Sequence, residues 1–103
     1  GPIYKDMTID KNKIVLQFDH VNRGLVANGK ELTEFYIAGS DKQFYPAKAK
    51  IKGNTVIVQA KEVKDPVAVR FAFSDVAVHN LFNEAGLPAS PFRTDDWEID
   101  LGD

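Results

Sequence analysis

At 103 residues the chain has the length of one compact domain, enough to bury a single core without covalent staples. Its 13 basic and 15 acidic residues leave a net charge of −2, and its composition is 44% hydrophobic and 27% charged. That mixture is ordinary for a globular protein and offers no broad field to attract nucleic acid or an anionic membrane, which speaks against both as partners. The absence of cysteine excludes disulfides, thiol catalysis and thiolate metal sites.

Taken in chain order, the pattern is strand after strand. Gly1-Pro2 leads straight into structured sequence with no signal-peptide pattern, and reads equally as native or as a cloning scar. "YKDMTID" (4–10) is a short strand, "DKNK" (10–13) its turn, and "KIVLQFD" (13–19) a strand with Ile14, Leu16 and Phe18 on one face. "TEFYIAG" (33–39) and "KQFYPA" (42–47) follow on either side of a turn at Ser40-Asp41. Pro46 cannot donate to a ladder and so marks an edge strand. In "AKAKIK" (47–52) the apolar residues face in and the three lysines face water; Gly53-Asn54 is a hairpin turn, and "TVIVQA" (55–60) returns. "PVAVRFAF" (66–73) places Val67, Val69, Phe71 and Phe73 on one face, and regular strands stop there. "ELTEFY" is too short for a helix, and no apolar run approaches the ~20 residues of a membrane span.

Some seven short strands with turns about every ten residues imply an all-β fold, an antiparallel two-sheet sandwich. It is read as immunoglobulin-like, with a galactose-binding-like jelly roll as the alternative. The expected organisation is one domain over 1–97, an irregular strap over 80–97 and an acidic tail over 98–103.

Few residues suggest chemistry. His79 has Ser74, Asp75 and Glu84 nearby in sequence, but triads are recognised by geometry, and a loop histidine is the expectation. His20 reads as a turn residue paired with a local carboxylate, and two distant histidines make no zinc pattern. The acidic run Asp95-Asp96-Trp97-Glu98-Ile99-Asp100 lacks the glycine turn of a calcium loop and reads as a solvated end; no metal or cofactor is expected. Tyr4, Tyr36, Phe44, Tyr45, Phe82 and Trp97 raise sugar binding, against the simpler reading of core and scattered surface aromatics. Arg70, alone in an apolar strand and pointing away from Val69 and Phe71, wants a carboxylate or backbone carbonyls, with a structural ion pair favoured over a ligand contact; Arg93 is expected to pair with Asp95 or a sheet-edge carbonyl. In the strap, Pro88 and Pro91 hold the chain extended while Leu87 and Phe92 are expected to bury against the sheet. Arg70, Leu87, Phe92, Arg93 and Trp97 are therefore the candidate interface or ligand residues.

The runs "GPIYKDM", "IVLQFDHVNRGLVANGK", "FYIAGSDKQFYPAKAKIKGNTVIV", "VKDPVAVRFAFSD" and above all "NLFNEAGLPASPFRTD" (80–95) resemble the C-terminal β-sandwich region of the sialate O-acetylesterase family. Members of that family carry an SGNH-type hydrolase domain with a serine nucleophile and a histidine base, and remove O-acetyl groups from sugars. Its G-D-S elbow and D-x-x-H motif are not in this chain; Asp75 precedes His79 by four. "FSDVAV" (73–78) stands where the family has a tryptophan and a D-N-P turn. The resemblance thus implies a non-catalytic accessory domain that braces or caps an SGNH-type hydrolase domain of the same parent, itself periplasmic or secreted. An independent glycan-binding module is the alternative.

Overall fold

A computed structural model describes residues 1–73 and 78–98. Ser74, Asp75, Ile99, Asp100, most of the "FSDVAV" segment and nearly all of the acidic tail lie outside the described residues. Ten strands are formed among those described: β1 (Ile3–Asp10), β2 (Lys13–Asp19), β3 (Leu25–Ala27), β4 (Phe35–Ala38), β5 (Phe44–Pro46), β6 (Lys48–Lys52), β7 (Thr55–Gln59), β8 (Ala68–Phe71), β9 (Leu81–Asn83) and β10 (Phe92–Arg93). They make two four-stranded antiparallel sheets, β1-β2-β7-β6 and β10-β8-β4-β5, and a ribbon β3-β9. No helix occurs among the described residues, and the sheets pack as a sandwich.

Register shows why these sequences pair. In the first sheet, Met7, Leu16, Val56 and Ile51 line up across the four strands, and Ile14, Val58 and Ala49 form the next inner row, with Ile9 in register at its exposed edge. β1 reaches this register through a bulge at Lys5, which puts both Tyr4 and Met7 against the core. It is the longest strand, although its sequence, lacking strict alternation, reads as a short one. In the second sheet Phe92, Phe71 and Phe35 form one inner row, and Val69, Ile37 and Tyr45 the next. Pro46 ends the edge strand β5; one residue later the chain crosses to β6 in the opposite sheet, with the Ala47 amide donating to the Phe35 carbonyl.

Three sequence expectations are corrected. Strands do not stop at Phe73: β9 and β10 follow, and both belong to the strap. The four-residue face of "PVAVRFAF" is cut to two. Val69 and Phe71 are fully buried, but Ala72 takes a left-handed backbone (φ 51°) to donate to the Glu34 carbonyl, which turns Phe73 out to 41% exposure. Val67, before the strand begins, is also exposed. Finally, Leu87 is not buried: it is 52% exposed, and Ala89 is the strap residue that enters the core.

The run 80–95 now has a physical reading. Asn80 clamps the 28–33 loop: its Oδ1 accepts from the Thr33 amide (3.0 Å), and its Nδ2 donates to the Glu31 (2.6 Å) and Asn28 (3.3 Å) carbonyls. Leu81 is fully buried. Asn83, the one buried polar residue among those described, accepts from the Leu87 amide and donates to the His20 carbonyl, closing the turn in which Gly86 sits at φ 85°. His20 also takes a left-handed conformation, but its ring forms no ion pair with a carboxylate among the described residues.

Candidate arginine and aromatic face

The outer face of β10-β8-β4-β5 carries what charge chemistry the fold organises. Register sets Arg93 of β10 directly opposite Arg70 of β8, with Tyr36 of β4 on the other side. Two like charges so placed repel. The chain resolves this two residues after β10. Thr94 extends the ladder, its amide donating to the Val69 carbonyl while its hydroxyl accepts from the Val69 amide, both at 3.0 Å. Asp95 is thereby laid over the arginines. Arg70 donates to it through two nitrogens, Nη2 to Oδ2 at 2.8 Å and Nε to Oδ1 at 3.1 Å; Arg93 Nη1 lies 3.8 Å from Oδ2. Arg93 also donates to the Trp97 carbonyl (2.9 Å), and the Trp97 amide donates back to Asp95 (3.2 Å).

The Asp95 side chain is 1% exposed and that of Arg70 20%. Burial alone pushes the Asp95 carboxyl up, but the hydrogen bonds and charge of Arg70, with the Trp97 amide, outweigh it and hold the group below its ordinary range. Asp95 is thus a fixed anion, unsuited to donate a proton near neutrality. Both of its oxygens accept hydrogen bonds in this pairing.

Aromatic rings complete the face. The Arg70 guanidinium lies 4.2 Å from the Phe44 ring centre, and Trp97 meets Phe44 edge-on at 5.8 Å with the Lys42 ammonium 5.5 Å over it. Exposed Phe73 stands 5.5 Å from Arg70 and 5.6 Å from Arg93. The structure therefore brings Arg70, Arg93 and Trp97 together and leaves the other two candidates elsewhere. Phe92 lies on the opposite, inner face, stacked on Tyr4 at 4.6 Å and edge-on to Phe18 at 5.7 Å; Leu87 is on the rim of the β3-β9 ribbon. This set of cations and rings already holds one carboxylate, that of Asp95, and leaves the Phe73 ring exposed beside it.

His79 is held as a structural group. Its Nδ1 accepts from the Leu81 amide (3.1 Å), so Nε2 carries the proton and donates to the Ala89 carbonyl (2.8 Å), and the ring packs on Phe71 and Phe82. With its basic nitrogen occupied, it ties the strap to β9. Sequence reasoning missed this, and also missed the roles of Asn80 and Asn83. Their N-L-x-N spacing was visible, but the carbonyls they clamp lie some fifty to sixty residues away.

No protein-family model matches the chain, and no curated protein matches it. Among solved structures it is similar to a carbohydrate acetylesterase from Xanthomonas citri, with 45% sequence identity and a TM-score of 0.85. The match covers 93% of this chain and 23% of that one, so the chain spans less than a quarter of the solved protein's length. The likeness supports an esterase-family domain.

Proposed function

We propose that this chain is a non-catalytic accessory domain of a carbohydrate esterase of the sialate O-acetylesterase type, placed C-terminal to an SGNH-type hydrolase domain that it braces. The observation that carries the reading is the lopsided match: nearly all of this chain corresponds to a minor part of a carbohydrate acetylesterase. The site chemistry agrees with it. The arginine and aromatic face is built for contact, and the His79 ring is occupied by backbone groups. Such a parent acts in the periplasm or outside the cell.

Removal of this segment from the full-length polypeptide that contains it tests the reading. The remaining hydrolase is expected to keep its nucleophile but unfold at lower temperature and lose turnover in proportion. A gene product with no hydrolase sequence, or a hydrolase indifferent to the deletion in both stability and turnover, overturns it. A second reading, an independent glycan-binding module, is favoured by Phe73, an exposed ring between two guanidiniums. Titration with plain and O-acetylated sialosides at millimolar concentration separates the two: amide shifts clustered around Phe73 and Trp97 support the module, and none support the brace.

A further inference from the structure

A strand at the edge of a sheet leaves a row of backbone N–H and C=O groups without partners, and this fold blunts most of its edges. β5 is cut short by Pro46, β10 has two residues, and β1 carries the bulge at Lys5. β6 is regular: its five residues run in unbroken register with β7, its one partner strand among the described residues.

The Gly53-Asn54 turn fixes which way the backbone groups of β6 point. A two-residue hairpin loop closes on a hydrogen-bonded pair, here Lys52 and Thr55, and such pairs recur at every second residue. Lys48, Lys50 and Lys52 therefore direct their amides and carbonyls to β7, and Ala49 and Ile51 direct theirs away from it. Ala47, of the same parity, donates outward to the Phe35 carbonyl, whereas Ala49 and Ile51 meet no further backbone partner among the described residues. Beside this free edge lies a cleft of about 440 Å³, lined across from β6 by Ala27 and Leu32. Lys30 and Glu31, of opposite charge, also line it.

Charge selects the kind of strand that fits. The side chains of Lys48, Lys50 and Lys52 are all exposed on the outer face of the sheet, at intervals of about 7 Å along the strand. None of them forms an ion pair among the described residues, and their cross-strand neighbours Gln59, Ile57 and Thr55 carry no charge. The acid on the Lys52 row, Asp6, lies three strands away, about 14 Å, beyond the screening length of about 8 Å at physiological salt. A second copy joined β6 to β6 would set lysine against lysine, whereas carboxylates at alternate residues of an added strand would meet all three in register.

We infer that β6 is a strand-addition site for an extended acidic peptide segment. Alternate aspartates or glutamates lie against Lys48, Lys50 and Lys52; small apolar residues between them turn into the cleft, and their backbone bonds to Ala49 and Ile51. This binding belongs to the 103-residue chain itself and stands or falls apart from the accessory-domain reading. The test uses a fluorescein-tagged peptide of alternating glutamate and valine, read by anisotropy and by amide hydrogen exchange. Saturable binding should protect the Ala49 and Ile51 amides, which are free in the unbound chain, and leave those of Lys50 and Lys52 unchanged. Lys50→Glu should weaken binding about tenfold, since one attractive cross-strand pair becomes repulsive. Lys64→Glu, the same charge change outside the cleft, should not, and a thermal melt confirms that both variants are folded. The same peptide N-methylated at its valines keeps its charge but loses the edge bonds, and should not bind. No binding at millimolar peptide overturns the proposal. So does equal binding of the N-methylated peptide, which would mean attraction of any polyanion. Protection of Ala49 and Ile51 that rises with protein concentration in the absence of peptide would assign the edge to a second copy and also overturn it.

Discussion

Replacing Asp95 by alanine removes the one carboxylate that reconciles Arg70 with Arg93. Taking one partner from a buried ion pair costs about 3–5 kcal/mol, because the other charge is left without compensation. Here Arg70 keeps 20% of its side chain in solvent and the Phe44 ring at 4.2 Å, which brings the cost below that range, to about 2–3 kcal/mol. A domain of this size has about 5–15 kcal/mol in total, so urea unfolding resolves the change easily. By thermal melting it corresponds to a fall of roughly 10–20 °C. Asp95→Asn isolates the charge while preserving shape. The Asp95 pKa is lowered in the folded state, so its contribution is complete above the ordinary aspartate value of about 3.9 and is lost as pH falls through the lower folded value. The stability gap between the wild type and Asp95→Asn should therefore be widest near neutrality and close as the pH falls below the ordinary aspartate range. A gap below about 1 kcal/mol at pH 7, the level of an exposed surface pair, or one that stays constant into acid, would refute the reasoning.

The strap yields further expectations for equilibrium unfolding. Phe92→Ala should cost about 3 kcal/mol, the low end for a phenylalanine because the ring is half-buried, whereas Leu87→Ala should stay within about 0.5 kcal/mol in the isolated chain. The reverse order would show that the strap docks differently. Asn83→Ala releases a buried amide and a carbonyl at once and should cost about 2–3 kcal/mol; a loss under about 0.5 kcal/mol would mean that water replaces both bonds without penalty. Gly86→Ala has open space for its methyl, so its cost of about 1 kcal/mol should come from the left-handed backbone alone, and an asparagine there should recover part of it.

The regular sheets were legible because their strands are long enough to show a period. β2 alternates over seven residues, β6 and β7 meet across Gly53-Asn54, and Pro46 marks an edge as a residue without an amide proton must. Shorter or interrupted elements were not. β3 and β9 have three residues each, too few to establish alternation, and their pairing joins segments more than fifty residues apart. The bulge at Lys5 and the left-handed Ala72 each shift a side chain to the other face, and nothing in "YKDM" or "FAF" signals the shift. In the strap, proline restriction argues for extended backbone, but extension does not say which side faces the sheet. The ladder turns Ala89 in and leaves Leu87 at the rim. Arg70 announced its need for an acceptor, carboxylate or carbonyl, by standing alone among apolar residues, whereas the convergence of Arg93, Phe73 and Trp97 around it depends on register across three strands and a loop.

On the proposed reading, acetyl-ester chemistry belongs to the parent and contact to this chain. This division is tested most directly by measuring aryl acetate hydrolysis with the folded 103-residue chain and the full-length polypeptide at equal molar concentration. Turnover is expected in the full-length protein and none above a heat-inactivated control in the chain alone. Turnover by the isolated chain that rises and falls with its folded fraction across a urea titration would contradict it.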